Sequence, residues 1–290
     1  MTMTPHAPSM SGRSEPSSGW PASGRVVVVM PAHDEEASIG ATISRIRESL
    51  PGVDVVVIND FSSDRTTEVA ERHGARVVEL SCNLGYGGAI QTGFKYALAR
   101  DYDFVIQMDA DGQHGPGDAR ALLAPVLAGD ADVSIGSRFL GRTTYRVPGL
   151  RRLGMRAFGL IVTFVTRRRF SDPTSGYQAM NRRAIQFFAH DNYPSDFPDA
   201  DTIILLVLAG FRVQEVPVTM LPRTAGSSMH SNLRVFYYVS KMMLSILMVL
   251  LRRRRLRAPA STSSPGPQRP IPDGEMNEPR RTPGRGGERA

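Results

Sequence analysis

The segment RVVVVMP, Arg25–Pro31, decides the fold class of this chain of 290 residues. It is a continuous, mostly β-branched run that ends in proline, which is typical of a strand buried on both faces of a parallel sheet. The apolar residues that follow recur at the spacing of one helix face: Ile39, Ile43, Ile46 and Leu50. A buried strand followed by an amphipathic helix is the repeating unit of α/β proteins.

The same alternation continues along the first half of the chain. It predicts further strands at Asp54–Asp60, Arg76–Leu80, Phe104–Met108 and Asp132–Gly136, with helices near residues 62–74, 87–100 and 118–127. We therefore expect a Rossmann-like, mostly parallel sheet flanked by helices, which binds ligands outside the carboxyl ends of its strands. Later in the chain, a predicted helix at Asp201–Ala209 precedes the strand Phe211–Val218, which we expect at an edge because of Pro217.

Composition divides the chain into a disordered tail at 1–24, a domain at 25–232, a helix with a basic cluster at 233–257 and a disordered tail at 258–290. Both tails are rich in Ser, Pro and Gly and cannot bury enough apolar surface to offset their ordering entropy. Most of the formal net charge of +7 follows Leu251, where ten arginines accompany four acidic residues. The nearly neutral domain argues against nucleic-acid binding, and the single cysteine, Cys82, excludes an internal disulfide framework.

The segment Leu233–Leu251 is an apolar stretch of 19 residues that predicts an amphipathic helix after the domain. Its length is close to the ~20 residues that span a bilayer, but Arg234 and Lys241 interrupt it. The basic run Arg252–Arg255 follows directly. This combination favours a helix that lies on a membrane surface with anionic lipids, while a true span and a buried or oligomer-forming helix are the alternatives. The basic and apolar stretch Leu150–Val165 is a candidate second contact.

A pair of carboxylates follows the fourth predicted strand in the stretch FVIQMDADGQHGP, Phe104–Pro116. Residues i and i+2 of a strand point the same way, so Asp109 and Asp111 can aim at one point, where they repel each other unless a cation is present. Mg²⁺ and Mn²⁺ prefer carboxylate, amide and phosphate oxygens, and Gln113 offers an amide oxygen. His114 is either a further ligand or a loop residue, and we favour the loop role. The alternative for the pair is a polar strand exit whose aspartates cap a helix.

Several motifs follow one another in the order of those of glycosyltransferase family 2: VVVVMPAHDEEASI, VVVINDFSSDRTTEVA, NLGYGGAIQTGFKYA, FVIQMDADGQH, DVSIGSRF, SDPTSGYQAMNR and EVPVTMLPRTAGSS. The chain resembles this family from about Arg25 to Asn232, and within it the dolichyl- and polyprenyl-phosphate mannose or glucose synthases. The resemblance implies the GT-A fold, an inverting transfer of a sugar from a nucleoside diphosphate, and Mg²⁺ or Mn²⁺ as the cofactor.

The resemblance also implies a donor site. Pro31, His33 and Glu35 match the segment that lines the nucleotide base and ribose, and His33 stands where tyrosine is usual. Asp60 matches the second acid of an Asp-Asp pair that contacts the nucleotide, and Asn59 takes the place of the first.

The remaining matches concern the metal and the acceptor. Asp109, Asp111 and Gln113 match the triplet that holds the metal and the donor diphosphate, so Asp111 is also an expected catalytic residue. The arginines that match those holding the acceptor phosphate are Arg138, Arg151 and Arg223. Gly226–Met229 departs from the family, which often has a lysine where this chain has Met229.

The nature of the acceptor decides whether the reaction needs a base. A phosphate monoester is largely dianionic at neutral pH, because its second pKa is near ~6, and it can attack without a base. A sugar hydroxyl needs a base within hydrogen-bond reach. For that role the resemblance offers Asp201, with Asp199 in reserve, and both residues also fit a role in capping the following helix.

We therefore expect a peripheral enzyme at the cytoplasmic face of the membrane that transfers a sugar from a UDP- or GDP-sugar to a polyprenyl phosphate. Its expected partners are the nucleotide sugar, the polyprenyl phosphate and a surface of anionic lipids. Transfer to a hydroxyl of a glycan or lipid-linked saccharide, with Asp201 as the base, is the alternative activity. A nucleotide-sugar-binding protein without catalytic activity is the alternative of a different class.

Overall fold

The computed structural model describes residues 24–140, 149–190, 193–194, 200–221 and 243–251, and of residues 149–157 it describes the backbone. Within these ranges the strands are β1 Val26–Ala32, β2 Asp54–Asn59, β3 Arg76–Glu79, β4 Phe104–Gln107, β5 Val133–Ser137, β6 Gln178–Asn181 and β7 Val213–Pro217. The helices are α1 Ile39–Ser49, α2 Thr66–Arg72, α3 Gly85–Ala99, α4 Ala119–Leu127, α5 Gly149–Thr166, α6 Arg182–Ala189 and α7 Ala200–Leu208. Residues 243–251 are also helical and are called the terminal helix below.

The strands form one sheet in the order β3-β2-β1-β4-β6-β5-β7. All neighbours are parallel except that β6 is antiparallel to both β4 and β5. The predicted mostly parallel sheet is confirmed, and β7 lies at its edge, where Pro217 is tolerated. Sequence analysis missed β6, because QAMN is a short segment without an apolar run and obtains its ladder from the strands on both sides.

The burial of β1 explains its continuous apolar sequence. Every residue of the strand is buried, because α3 covers one face of the sheet and α1 covers the other. Val27 and Val29 belong to the hydrophobic cluster that includes α3, whereas Val28 and Met30 belong to the cluster that includes α1. Gly93 lets α3 lie against β1, since a Cβ at this position would come within 2.2 Å of a Val29 methyl group.

The loop between β2 and α2 differs from the prediction. The helix begins at Thr66 rather than near Ser62, because the intervening turn binds the loop after β1. The backbone N–H of Ser63 donates to Asp34 Oδ1 at 2.7 Å, and the backbone N–H of Asp34 donates to Ser62 Oγ at 3.0 Å. These bonds join two loops at the carboxyl ends of adjacent parallel strands, which is the edge of the sheet where a ligand is expected.

The terminal helix contacts the domain through its buried side. Ile246 is buried and belongs to the same hydrophobic cluster as Phe158 and Val162 of α5. Its exposed large apolar side chains are Met243, Leu244, Leu247, Met248, Leu250 and Leu251. No helix in the described part of the chain is both long and apolar enough to cross a membrane. The first part of the predicted amphipathic helix, 233–242, lies outside the described residues.

Candidate active site

The Asp109–Asp111 pair lies in the turn that follows β4, at the carboxyl edge of the parallel strands. Met108 and Ala110 are buried in the hydrophobic core. Asp109, which alternates with them, keeps 31% of its side chain exposed, and Asp111 is buried. The alternation of the strand therefore persists past its last ladder bond and separates two apolar side chains from two carboxylates.

Tyr86 is a neighbour of Asp109 that sequence analysis did not identify. It lies in the first turn of α3, and its hydroxyl donates to Asp109 Oδ1 at 2.8 Å. The hydroxyl in turn accepts from Gln107 Nε2 at 3.2 Å. Burial, and then the Asp109 carboxylate, raise the pKa of Tyr86 well above its ordinary value, so the hydroxyl stays protonated and remains a donor. The signal in the sequence is a single tyrosine among the glycines of NLGYGGA.

Gly176 closes the site from the segment before β6. A Cβ at this position would lie 2.9 Å from the Tyr86 hydroxyl and 3.6 Å from each oxygen of Asp109. The first of these distances is too short for a side chain without a shift of Tyr86. The glycine thus allows the backbone to approach the carboxylate, which is a use of glycine that only the folded structure reveals.

His114 has a defined place beneath the same carboxylate. The backbone N–H of Asp109 donates to His114 Nδ1 at 3.0 Å, and His114 Nε2 lies 3.6 Å from Asp109 Oδ2. The ring is buried and stacks on Tyr177, with centroids 4.8 Å apart and planes inclined by 11°. The favoured loop role therefore has a geometric basis, since Nδ1 is engaged by the backbone of the acidic turn.

The residue types around this turn fit a hard divalent cation. The backbone N–H of Gln113 donates to Asp111 Oδ1 at 3.0 Å, while Gly112 provides the positive φ of +75° that closes the turn. In the described part of the chain, no three side chains of His, Cys, Asp or Glu converge so that they could hold a metal by themselves. Two carboxylates and one amide suit a cation that completes its coordination with substrate phosphates and water.

The residues expected to contact the nucleotide lie at or after the carboxyl ends of β2 and of β1, the strand that pairs with β4. His33 is half-exposed, and its Nδ1 donates to the backbone carbonyl of Asp60 at 2.8 Å. Asp60 is buried, and its Oδ1 accepts from the backbone N–H of Leu84 at 2.6 Å. Glu35 accepts through its carboxylate from Ser38 Oγ at 2.5 Å, at the start of α1. Pro31 is buried within β1 and paired with β2, so it shapes the strand beneath this surface.

The contacts of Asn59 explain why this chain has an amide where the family has the first aspartate of the Asp-Asp pair. Its Oδ1 accepts from the backbone N–H of Ser62 at 3.1 Å. Its Nδ2 donates to Thr67 Oγ1 at 2.7 Å and to Glu79 Oε2 at 3.2 Å. An aspartate here would lose the donor and would face the carboxylate of Glu79, with repulsion between the two. An asparagine at this position suits Glu79, because its amide donates to that carboxylate.

Arg138 has a different partner from the expected acceptor phosphate. Its Nε and Nη2 donate to the two carboxylate oxygens of Asp172 at 2.6 Å each, and both side chains are buried. Glu215 of β7 holds the loop in place, because it accepts from the backbone N–H of Asp172 at 2.7 Å. The guanidinium fork therefore forms an internal ion pair, and the expected contact of Arg138 with the acceptor phosphate stays a prediction. Arg151 lies in the backbone-only part of α5, and Arg223 lies outside the described residues.

Asp201, the candidate base, lies in the first turn of α7 and is 1% exposed. Its Oδ1 accepts from the backbone N–H of Thr202 at 2.9 Å. Its Oδ2 accepts from the hydroxyl of Ser245 in the terminal helix. The structure therefore surrounds this carboxylate with protein groups. Asp199 lies outside the described residues.

The comparison with known protein families identifies the chain. Residues 27–189, more than half of its length, match the profile of glycosyl transferase family 2. The chain belongs to glycosyltransferase family 2. Family 2 proteins similar to it include an undecaprenyl-phosphate mannosyltransferase of Micrococcus luteus, which is 33% identical over 70% of this chain and 86% of that protein. A polyprenol monophosphomannose synthase of Mycolicibacterium smegmatis is 30% identical over 70% of this chain and 80% of that protein.

Solved structures that are similar to this chain share its fold. Glucosyl-3-phosphoglycerate synthase of Mycobacterium tuberculosis, crystallised with Mn²⁺, UDP-glucose and phosphoglyceric acid, aligns with a TM-score of 0.57 at 22% identity. The alignment covers 83% of this chain and 82% of that chain. The expected GT-A fold and the assignment as a glycosyltransferase are thus confirmed.

Proposed function

We propose that this family 2 enzyme transfers a sugar from a UDP- or GDP-sugar to a polyprenyl phosphate, with inversion at the anomeric carbon. The observation that carries the proposal is the acidic turn at the carboxyl edge of the sheet, where Asp109 is bound by the uncharged Tyr86 hydroxyl and faces His114. The Tyr86 hydroxyl is a neutral donor, so this contact gives the carboxylate no counter-ion that an incoming cation would have to displace. The names of the mannosyltransferase and monophosphomannose synthase relatives support the polyprenyl phosphate as the acceptor.

The donor half of the proposal assigns the acidic turn to the diphosphate. Asp109, Asp111 and Gln113 would hold Mg²⁺ or Mn²⁺, which when bound supplies positive charge opposite the departing nucleoside diphosphate. The expected nucleotide residues lie at or after the ends of β1 and β2, so we assign them to the same edge of the sheet as the turn: Pro31, His33, Glu35 and Asp60. The exposed face of His33 would contact the base or ribose, and the buried Asp60 would fix the start of α3 through the Leu84 amide.

The acceptor half follows from the surroundings of Asp201. A base must reach the proton that it removes, but this carboxylate is buried and accepts hydrogen bonds from Thr202 and Ser245. A phosphate monoester needs no base. The polyprenyl phosphate is therefore favoured over a sugar hydroxyl, and Arg151 and Arg223 are the proposed phosphate contacts because Arg138 is paired with Asp172.

The proposed membrane contact rests on exposed apolar side chains that lie beside basic ones. Leu160 and Phe164 of α5 are 71% and 86% exposed, and the exposed run Arg167–Arg169 follows. The terminal helix shares a hydrophobic cluster with α5 and exposes its own apolar side chains. Such a surface suits a peripheral contact with anionic lipids at the cytoplasmic face. Sedimentation with phosphatidylglycerol vesicles tests it, and Phe164→Ser should lower the bound fraction.

The experiment that tests the whole proposal is an assay of a panel of nucleotide sugars with polyprenyl phosphate and Mg²⁺ or Mn²⁺. We expect one nucleotide sugar to give a polyprenyl-phosphate sugar, and chelation or Asp111→Ala to abolish the product. Glu48→Gln, an exposed carboxylate of α1, is the matched control and should keep full activity. Transfer to a hydroxyl acceptor only, or no turnover with any donor, would contradict the proposal.

A further inference from the structure

We propose that His114 is a positioning residue that acts with Tyr86 to fix the direction of the Asp109 carboxylate, and through it the affinity of the site for a divalent cation. The inference rests on the proposed use of Asp109 as a metal ligand. It assigns a role to the last polar residue of the DADGQH motif, which the proposed reaction does not otherwise use.

The first step is the tautomer of the imidazole. His114 Nδ1 accepts the backbone N–H of Asp109 at 3.0 Å, so the proton of the neutral ring lies on Nε2. Nε2 is 3.6 Å from Asp109 Oδ2. This distance is longer than a hydrogen bond, so the N–H edge acts on the carboxylate electrostatically and leaves Oδ2 available to a cation.

The second step is the other carboxylate oxygen. The Tyr86 hydroxyl donates to Asp109 Oδ1 at 2.8 Å, and Gln107 Nε2 donates to that hydroxyl at 3.2 Å. Tyr86 belongs to α3 and His114 to the loop after β4, so two separate segments orient one carboxylate. The Tyr86 hydroxyl and the neutral imidazole carry no net charge, so they direct the carboxylate without cancelling its charge. A lysine or arginine in either place would compete with the cation.

The third step is the rigidity of the imidazole itself. His114 is 3% exposed and stacks on Tyr177 at a centroid distance of 4.8 Å. The Tyr177 hydroxyl donates to the backbone carbonyl of Gly115 at 3.1 Å, and His114 forms a β-bridge with Met220. The ring is thus fixed by its stacking partner and by its own backbone. Mutation of groups that orient a metal ligand in this manner typically costs about 10- to 100-fold in metal affinity.

The test measures Mn²⁺ binding by EPR of the free ion, on the full chain, with Mn²⁺ alone and with UDP or GDP present. His114→Asn keeps an acceptor near the Asp109 N–H but removes the Nε2–H edge. Tyr86→Phe removes the hydroxyl and keeps the ring. We expect each change to weaken Mn²⁺ binding ~10-fold, and the double variant to lose less than the product of the two, because both act through Asp109.

The control is His73→Asn. His73 is a half-buried histidine whose Nδ1 bonds the Val69 carbonyl at 2.8 Å, away from the acidic turn, and the change should leave Mn²⁺ binding unaltered. Mn²⁺ binding by His114→Asn and Tyr86→Phe within about twofold of the unsubstituted protein would overturn the inference, as would an equal loss in His73→Asn. Should His114→Asn fail to fold, Tyr86→Phe decides alone. Mn²⁺ binding that is sensitive to both changes, in a protein that glycosylates only a hydroxyl, would support the inference while the proposed acceptor fails.

Discussion

Asp109 and Asp172 both lie beside carboxyl ends of strands in the same sheet, yet their partners differ in kind. Asp172 is fully buried and receives the guanidinium fork of Arg138 at 2.6 Å. Asp109 is partly exposed and, in the described part of the chain, receives the Tyr86 hydroxyl and faces His114. The protein compensates the charge of Asp172 internally, whereas we propose that an external cation compensates that of Asp109. Under this proposal Asp172 is a structural acid and Asp109 a functional one.

The largest loss of activity is expected from Asp109→Asn. The amide keeps the shape of the side chain but removes the charge that is proposed to hold the cation. We expect kcat/KM to fall by about 10³-fold, which is ~4 kcal/mol of transition-state stabilisation. Without metal, the melting temperature should be unchanged or slightly higher, because the substitution relieves a repulsion with Asp111. If kcat/KM stays within about tenfold of that of the unsubstituted protein, Asp109 does not hold a catalytic cation.

Asp172→Asn should give the opposite pattern. It leaves the buried guanidinium of Arg138 without its counter-ion, and loss of one partner of a buried pair costs about 3–5 kcal/mol. We expect urea denaturation to report that loss of unfolding free energy. The double change Arg138→Met and Asp172→Leu should recover most of it, because an apolar pair of similar size removes both charges. A double variant that is stable but inactive would support the role of Arg138 as a contact of the acceptor phosphate.

Asp201 sharpens the comparison, since it combines the features of both acids. It is buried like Asp172, and it accepts hydrogen bonds from two uncharged groups, the Thr202 N–H and the Ser245 hydroxyl. If the acceptor is a phosphate, Asp201→Asn should lower kcat by less than about tenfold, because no proton has to be removed. If the acceptor is a hydroxyl, the loss should be about 10²- to 10⁴-fold. Initial rates with polyprenyl phosphate distinguish the two.

The two halves of the sheet also differ in how far the sequence predicts them. β1, β2 and β4 are mostly buried strands, so each appears as an apolar run that local pattern alone identifies, and the edge strand β3 still carries the apolar pair Val77 and Val78. β6 has no such run, since its position between β4 and β5 comes from tertiary pairing. The boundaries of α2 moved because Ser62 and Ser63 bind Asp34 across 28 and 29 residues of chain.

The candidate site divides in the same way. The position of the acidic turn could be predicted, because it follows an apolar run that reads as a buried strand. Its use as a metal site stays a prediction, since a polar strand exit is the alternative for two such carboxylates. The parts played by Tyr86 and Gly176 could not, since both contact Asp109 only when segments distant in sequence come together. The internal pairing of Arg138 was missed for the same reason, because Asp172 is 34 residues away. Local pattern thus finds the groups that bear charge, and folding decides which of them are compensated.

The smallest effect is expected at a carboxylate near the amino ends of the parallel strands, opposite the edge that carries Asp109. Asp132 precedes β5 and accepts from Arg212 Nη2 at 3.2 Å, Arg183 Nη1 at 3.3 Å and Asn181 Nδ2 at 2.9 Å. Burial raises the pKa of Asp132, but the bonds from Arg212 and Asn181 outweigh this, and the pKa lies below its ordinary value. Asp132 therefore belongs with the compensated acids.

A lowered pKa in the folded state gives stability that is present above the unfolded pKa of ~3.9 and is lost as pH falls through the folded value. We expect Asp132→Asn to reduce the unfolding free energy by about 1 kcal/mol or less at pH 7, because Arg212 is half-exposed and the pair is screened. The difference from the unsubstituted protein should shrink below about pH 4. Urea denaturation between about pH 3 and pH 7 measures it. A difference that grows on acidification would mean that Asp132 is held protonated, and that its arginines do not compensate it as Arg138 compensates Asp172.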